Sequence, residues 1–443
     1  MRMHARLLQG LQWCVVGAYV VLVAVPAFLP LPPDDAHAYD NLVVAAQWMF
    51  WGLWWPLVIV SMFVLGRTWC GVFCPEGTLT EAASRHGLGR GVPRWMRWGG
   101  WPFVAFALTT IFGQLVSVYQ YATATLLVLG GSTVAAVVVG FIFGKGKRVW
   151  CRHLCPVNGV FAVLARMAPL HFAVDTGAWR ANTGRTRAHP VNCAPMVRIR
   201  RMTGASECHM CARCSGLHGA VALAARAPGR EVARIDPAEA RAWDAALIVF
   251  GMIGLAIGAF EWSATPWFVD LRTVLANYAL DHGPAWLLAD NAPWWLLTHY
   301  PDAHDVFTWL DGALIIGWIV GTALVLGGVV TLCLALASLP ARGIRRRACA
   351  LSYALTPLAG IGLFVGLSAL TVGLAKGEGV TIHALPMIRC ALLAAGAAWS
   401  ARLGYVQLEA RVAGARLAFA MFAFSLGIVA VLAAWYPFVF RIA

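Results

Sequence analysis

Residues 44–66 read VAAQWMFWGLWWPLVIVSMFVLG and contain no charged side chain. About 20 apolar residues are enough for a helix to cross the hydrocarbon core of a bilayer. The run ends at Arg67 and is followed at once by Cys70 and Cys74. This stretch therefore predicts a membrane-spanning helix that ends beside a pair of thiols.

Similar apolar runs recur along the whole chain. Of its 443 residues, 60% are hydrophobic and only 12% are charged, which excludes an ordinary soluble protein. The runs give nine candidate spans: 11–31, 44–66, 99–119, 124–144, 244–263, 312–338, 350–374, 385–402 and 416–438. The predicted fold is an all-α polytopic membrane protein with about nine transmembrane helices, in contact with the lipid bilayer.

Basic residues predict the orientation of these spans. Arginines are concentrated at the amino end, after the second span, in 145–243 and in 341–348, whereas 264–311 is acidic. Because basic loops stay in the cytoplasm, the amino terminus and 145–243 are expected there and 264–311 in the periplasm of a bacterial inner membrane. The net charge of +14 is explained in the same way, so no nucleic-acid partner is expected.

This orientation divides the chain into three predicted regions. Residues 1–144 form a four-helix membrane region with the first cysteine pair. Residues 145–243 form a cytoplasmic segment, and residues 244–443 form a second membrane region of about five helices with the periplasmic loop 264–311.

A cysteine pair is repeated after the second and fourth spans. The segments Trp69–Pro75 and Trp150–Pro156 both read W-C-x3-C-P, each preceded by basic residues. The C-x3-C spacing places two thiols one helical turn apart on the same face. Two interpretations remain open: one four-thiolate site for iron–sulfur, copper or zinc, or two redox-active dithiols whose pKa is lowered by nearby arginines. The residues concerned are Cys70, Cys74, Cys151 and Cys155, with Arg67, Arg148 and Arg152 nearby.

A denser cysteine motif lies in the cytoplasmic segment. Cys208, Cys211 and Cys214 have the spacing C-x2-C-x2-C. Short loops of this kind let three thiolates reach three irons of one cubane, whereas zinc sites more often use two separated pairs. The motif therefore predicts a [4Fe–4S] cluster in a small ferredoxin-like insertion.

The fourth ligand follows from the arithmetic of two-cluster ferredoxins, in which the last cysteine of one motif binds the other cluster. Cys193-Ala194-Pro195 fits the end of an earlier motif, whose first three cysteines would stand at 183, 186 and 189. Those positions are Thr183, Thr186 and His189, and the last position of the second motif is His218. One complete set remains: Cys193, Cys208, Cys211 and Cys214, with His218 as an alternative fourth ligand.

Together these motifs resemble the membrane polyferredoxin family, over roughly residues 40–225. Members of that family accompany periplasmic nitrate reductase, nitrous-oxide reductase maturation and cytochrome-oxidase copper assembly. The resemblance implies membrane electron transfer. This chain departs from the family in keeping one complete cluster motif, and its last five spans have no identified counterpart.

Three functions are compatible with this pattern. The first is an electron-transfer component of an oxidoreductase, relaying electrons between a quinol or cytoplasmic donor and a membrane or periplasmic redox partner. One cluster cannot bridge a hydrocarbon core of about 30 Å, so the C-x3-C-P site or a bound quinone is the expected second centre. The alternative is thiolate-based copper reduction and handling in assembly of a copper or molybdenum respiratory enzyme. A cluster-bearing sensor is the third.

Overall fold

The computed structural model describes residues 5–33, 35–182, 191–340 and 343–441, and it is mostly helical (70%). Thr183, Thr186 and His189, the positions of the missing triplet, lie outside the described residues. The α-helical segments are α1 (Ala5–Ala24), α2 (Leu42–Leu65), α3 (Pro75–Arg85), α4 (Trp101–Leu115), α5 (Ala122–Phe143), α6 (Val149–His153), α7 (Asn158–Leu164), α8 (Thr176–Asn182), α9 (Arg230–Ala233), α10 (Ala242–Ala264), α11 (Pro266–His282), α12 (Trp309–Ser338), α13 (Ile344–Gly377), α14 (Leu385–Glu409), α15 (Gly414–Ala434) and α16 (Tyr436–Arg441). The strands are β1 (Leu170–Val174), β2 (Val221–Ala225), β3 (His299–Tyr300) and β4 (Asp305–Val306).

Seven helices in the described ranges are long and apolar enough to cross a membrane, so the chain is a multi-pass membrane protein. They are Arg6–Phe28, Leu42–Leu65, Ala122–Phe143, Ala242–Ala264, Trp309–Ser338, Ile344–Gly377 and Gly414–Phe440. The other two predicted spans are helical but differ in character. Helix α4 has 15 residues and stops just before Ser117, whose φ of 50° is left-handed. Helix α14 has 25 residues, but Arg389 and Arg402 lower its hydropathy. The count of nine therefore stays a prediction.

The chain packs as two compact units. Unit 1 contains 1–22, 57–105 and 129–234, and unit 2 contains 23–56, 106–128 and 235–443. All eight cysteines of the predicted sites belong to unit 1.

In unit 1, α3 packs closely against α5. The Thr80 hydroxyl donates to the Ala136 carbonyl at 2.7 Å. A β-carbon added at Gly140 would lie 2.5 Å from the Thr80 carbonyl oxygen, so only glycine permits this approach. The contact fixes the helix that begins at the first cysteine pair.

A small two-stranded sheet organises the cysteine-rich segment of unit 1. Strands β1 and β2 pair antiparallel, with Phe172 opposite Leu223. Phe172, Val221 and Met210 are buried in one hydrophobic cluster, against which Cys208 and Cys214 pack. The sheet thus holds the C-x2-C-x2-C segment against an apolar core.

In unit 2, α12 packs against α10 and α15. The loop 264–311 contains α11 and the β3–β4 hairpin, in which His299 pairs with Val306. Three acidic or basic side chains are buried in the described part of this unit: Glu261 (8% exposed), Asp311 (5% exposed) and Arg389 (2% exposed). The Arg389 guanidinium lies 4.8 Å from the centre of the Phe438 ring and donates to that residue's carbonyl oxygen.

Candidate functional site

The C-x2-C-x2-C loop is wound by unusual backbone angles. Met210 (φ 54°) and Ala212 (φ 58°) are both left-handed, although neither is glycine. Such residues cost about 1–3 kcal/mol each and are found where the surroundings demand a particular geometry. The Met210 amide donates to the Cys208 sulfur at 3.4 Å. An amide aimed at a sulfur is the arrangement that stabilises a thiolate bound to metal.

Electrostatic interactions connect Cys208 to the other three cysteines predicted to hold the cluster. Burial, with smaller contributions from Cys211, Cys214 and Cys193, raises the pKa of Cys208 to about 12. Burial also raises the pKa of Cys193, and Cys211 adds to this effect. These thiols therefore lie within electrostatic reach of one another. We call Cys193, Cys208, Cys211 and Cys214 the ferredoxin-type quartet.

His218, the alternative fourth ligand, is placed differently. Its backbone is left-handed (φ 52°), and its ring packs against Trp179 with 4.7 Å between ring centres. The Cys193 carbonyl, in contrast, accepts a hydrogen bond from the Lys147 ammonium at 3.2 Å. The choice of Cys193 rather than His218 as the fourth donor stays a prediction.

The two C-x3-C-P pairs also converge. Cys70 lies in a π-helical turn, Trp69–Phe73, and Cys74 caps α3 by accepting the Gly77 amide at 3.3 Å. Burial raises the pKa of Cys155 well above its ordinary value, with further contributions from Glu76 and from the other three thiols. We call Cys70, Cys74, Cys151 and Cys155 the paired-motif quartet.

The arginines near this quartet do not act as the sequence suggested. Burial raises the pKa of Cys151 to about 12, although Arg148 and Arg67 lower it in part. The pKa of Cys151 is therefore not lowered on balance, and the choice between one four-thiolate site and two redox-active dithiols stays a prediction. The Arg67 guanidinium instead links three segments of the chain by hydrogen bonds. It donates to the Cys70 sulfur at 3.7 Å, to the Asn158 side chain at 2.7 Å and to the Ser206 carbonyl at 2.9 Å.

The two quartets are in direct backbone contact. A β-carbon added at Gly71, next to Cys70, would lie 2.0 Å from the His209 carbonyl oxygen and 2.9 Å from the Cys211 amide nitrogen. Real β-carbons do not approach backbone atoms so closely, so the absence of a side chain at Gly71 permits the contact. The peptide that follows one quartet's first cysteine therefore touches the peptide of the other quartet's central cysteine.

A cavity opens beside this contact. Its volume is about 350 Å³, and it is bounded partly by the start of α1. Its lining residues are Leu8, Gln9, Gln12, Gly71, Val72, Glu81, Arg85, Cys211, Ala212 and Arg213. Gln12 donates to the Gly71 carbonyl at 3.1 Å, which fixes one wall. Cys211 therefore belongs both to the ferredoxin-type quartet and to the wall of this cavity.

The residues present fit a four-iron cluster in their chemistry. Each quartet supplies four sulfur donors, which is the ligand set of a [4Fe–4S] centre, and in each an amide points at a sulfur. No group of three or more histidine, cysteine or acidic residues in the described part of the chain is arranged to hold a single metal ion. A cube differs from a single ion because each thiolate binds a different iron.

Sequence reasoning missed several residues that shape the site. Glu81 forms ion pairs with Arg148 at 2.8 Å and Arg213 at 2.7 Å, and its carboxylate is only 7% exposed. His209 is 2% exposed, and burial lowers its pKa well below the ordinary value, so the ring is neutral. One signal was visible: an arginine stands three positions before the first cysteine of each pair, Arg67 and Arg148.

Comparison with known families gives one match. The family model of a 4Fe-4S binding domain matches residues 47–98 and 126–174. No curated protein and no solved structure matches the chain. The two matched segments contain the paired-motif quartet, and the second ends before Cys193. The match supports a ferredoxin-type iron–sulfur segment within a multi-pass membrane protein.

Proposed function

We propose that this protein is a membrane-bound iron–sulfur electron-transfer protein. It relays electrons between a quinol or cytoplasmic donor and a membrane or periplasmic redox partner, as an electron-transfer component of an oxidoreductase. The observation that carries the proposal is the backbone contact of Gly71, next to Cys70, with His209 and Cys211, which joins the segments that carry the two sets of four thiols. Two adjoining one-electron centres suit electron transfer better than storage of a single metal.

The ferredoxin-type quartet is proposed to hold one [4Fe–4S] cluster, which supplies a one-electron carrier. The chain's own residues bury that carrier and position its donors. The left-handed backbone at Met210 and Ala212 winds the loop, and the apolar cluster around Phe172 excludes water. Burial and hydrogen bonds to sulfur are the means by which proteins set a cluster's potential.

The paired-motif quartet is proposed to hold a second iron–sulfur cluster. The 4Fe-4S binding domain model covers both of its cysteine pairs, which supports iron over copper or zinc. Copper handling remains the competing assignment for these four thiols.

Metal analysis of the full chain, purified without oxygen, tests both assignments. We expect about eight iron atoms and eight acid-labile sulfides per chain, four for each cluster. About four of each would limit iron to one quartet. Stoichiometric copper that is lost when Cys70 and Cys155 are replaced by alanine, with little iron, would contradict the relay and support copper handling.

The cavity beside Cys211 is proposed to receive the head group of the quinol donor. Gln9 and Gln12 offer amide groups for a ring oxygen, while Leu8 and Val72 offer apolar contact. The start of the candidate span Arg6–Phe28 bounds the cavity, so a donor dissolved in the lipid could enter it beside this helix. Quinol oxidation releases two electrons and two protons, and two one-electron centres match that number.

Filling the cavity should block the donor without removing iron. We expect Leu8→Trp to abolish reduction by a short-chain quinol, because the indole occupies space within the cavity of about 350 Å³. Leu7→Trp is the matched control, since Leu7 is 69% exposed and does not line the cavity. The measurement is anaerobic stopped-flow reduction, followed by cluster absorbance. Unchanged quinol reduction in Leu8→Trp would remove the cavity from the proposal.

The distribution of basic residues along the chain supports a proposal for the membrane orientation of the protein. We infer a bacterial inner-membrane protein of about nine spans, with the amino terminus and both quartets on the cytoplasmic side. The motifs resemble those of the membrane polyferredoxin family, whose members accompany nitrate-, nitrous-oxide- and copper-linked systems. The acceptor is a membrane or periplasmic partner of one of these respiratory systems.

A further inference from the structure

One arginine of unit 1 lies against both quartets. The Arg148 side chain is 2% exposed. Its Nη1 donates to the Cys70 carbonyl at 2.5 Å, and its backbone amide donates to the carbonyl of Ala194, next to Cys193, at 2.8 Å. A single residue thus contacts the backbone of the paired-motif quartet and the backbone beside the ferredoxin-type quartet.

The charge of the Arg148 guanidinium also interacts with a cysteine of each quartet. Burial alone would lower the pKa of its guanidinium, but Glu81, Cys151 and Cys211 raise it on balance. Cys151 belongs to the paired-motif quartet, and Cys211 belongs to the ferredoxin-type quartet. Since charges interact more strongly away from water, this buried cation acts on both sets of sulfurs with little screening.

The carboxylate of Glu81 balances this cation. Glu81 binds Arg148 Nε at 2.8 Å with one oxygen and Arg213 at 2.7 Å with the other. Burial alone would raise the pKa of Glu81, but Arg148 and Arg213 lower it, so the carboxylate is ionised. Arg85 also lies 3.8 Å from the Glu81 carboxylate, so three cations and one anion leave this ion-pair network with a net positive charge.

We propose that Arg148 is a positioning residue that serves as the shared counter-charge of the two quartets and raises the reduction potential of both. This rests on the proposed function, because it requires a redox centre at each quartet. Reduction adds one electron, and the reduced state is the more negative one. A fixed positive charge stabilises that state, so its removal makes reduction harder. Removal of the balancing Glu81 carboxylate has the opposite sign.

The test is a redox titration of the anaerobic, detergent-purified full chain with dithionite and ferricyanide, followed by EPR. We expect Arg148→Gln to lower the potential at both quartets by at least a factor of ten in the reduction equilibrium constant, about 59 mV for one electron. Arg148→Lys keeps the charge and should stay close to the wild type. Glu81→Gln should move both potentials upward.

The control separates charge from loosened packing. Arg166→Gln also removes an arginine from a partly buried ion pair of unit 1, with Glu231 at 3.1 Å, and should leave both potentials in place. Equal shifts in Arg148→Gln and Arg148→Lys, a shift at one quartet alone, or no upward shift in Glu81→Gln would overturn the proposal. If Arg148→Gln does not retain iron, Glu81→Gln decides the question by the sign of its shift.

The same experiment distinguishes this inference from the function on which it rests. A wild-type chain without iron and labile sulfide would end both. A wild-type chain with two reducible centres, whose potentials do not respond to Arg148 or Glu81, would leave the relay intact and overturn only the shared counter-charge.

Discussion

Replacing Cys211 by serine is expected to remove the cluster of the ferredoxin-type quartet. Serine lacks the thiolate that binds iron, and Cys211 lies at the centre of the quartet, within electrostatic reach of both Cys208 and Cys193. The iron and labile sulfide content should fall by about four atoms each, the cluster content of one quartet. Quinol should then no longer reduce the remaining centre, because Cys211 also lines the cavity beside Gly71. Iron analysis, EPR and stopped-flow reduction measure the three effects.

The chain offers matched controls for this loss. Cys14 and Cys390 are exposed and belong to neither quartet, so Cys14→Ser and Cys390→Ser should retain all the iron. His218→Ala should retain it as well if Cys193 is the fourth donor. Full iron content in Cys211→Ser, or loss of iron in His218→Ala, would require another set of ligands.

Adding one methyl group at Gly71 is expected to interrupt transfer between the two quartets. The new β-carbon would lie 2.0 Å from the His209 carbonyl oxygen, and a backbone atom cannot turn aside as a flexible side chain can. Overpacking of this kind costs about 1–3 kcal/mol and shifts backbone atoms. We expect Gly71→Ala to slow the second phase of reduction by at least about tenfold, the rate equivalent of about 1.4 kcal/mol. Rapid-mixing spectroscopy of quinol-reduced protein measures this rate.

The control for Gly71→Ala is the same substitution at a glycine whose surroundings leave room for a β-carbon. A β-carbon at Gly17 or Gly91 meets no atom within 4 Å, so Gly17→Ala and Gly91→Ala should leave the kinetics unchanged. Iron content should remain near the wild-type value in all three variants, because none removes a sulfur. Wild-type rates in Gly71→Ala, with the quartets still loaded, would contradict transfer across this contact.

Part of this architecture can be predicted from the sequence because it depends on the spacing of nearby residues. A charge-free run such as 44–66 must form a helix in a bilayer, since its backbone groups have no water to bond. The separations among Cys208, Cys211 and Cys214 are three residues each, and the upstream Cys193 follows from the ferredoxin pattern. Two features depend on more than local spacing: α4 has 15 residues where the span 99–119 was predicted, and burial outweighs Arg67 and Arg148 in setting the pKa of Cys151.

By itself, then, the sequence determined the membrane class, the two cysteine pairs and the dense cysteine triplet, because each is set by neighbours a few positions apart. Only the tertiary structure decided that Gly71 meets Cys211, that Arg148 lies against both quartets and that Glu81 binds two arginines. These contacts join residues distant in the chain, and no local periodicity records them. They depend on how closely helices pack and on which charges are buried together, and both of these are properties of the folded chain.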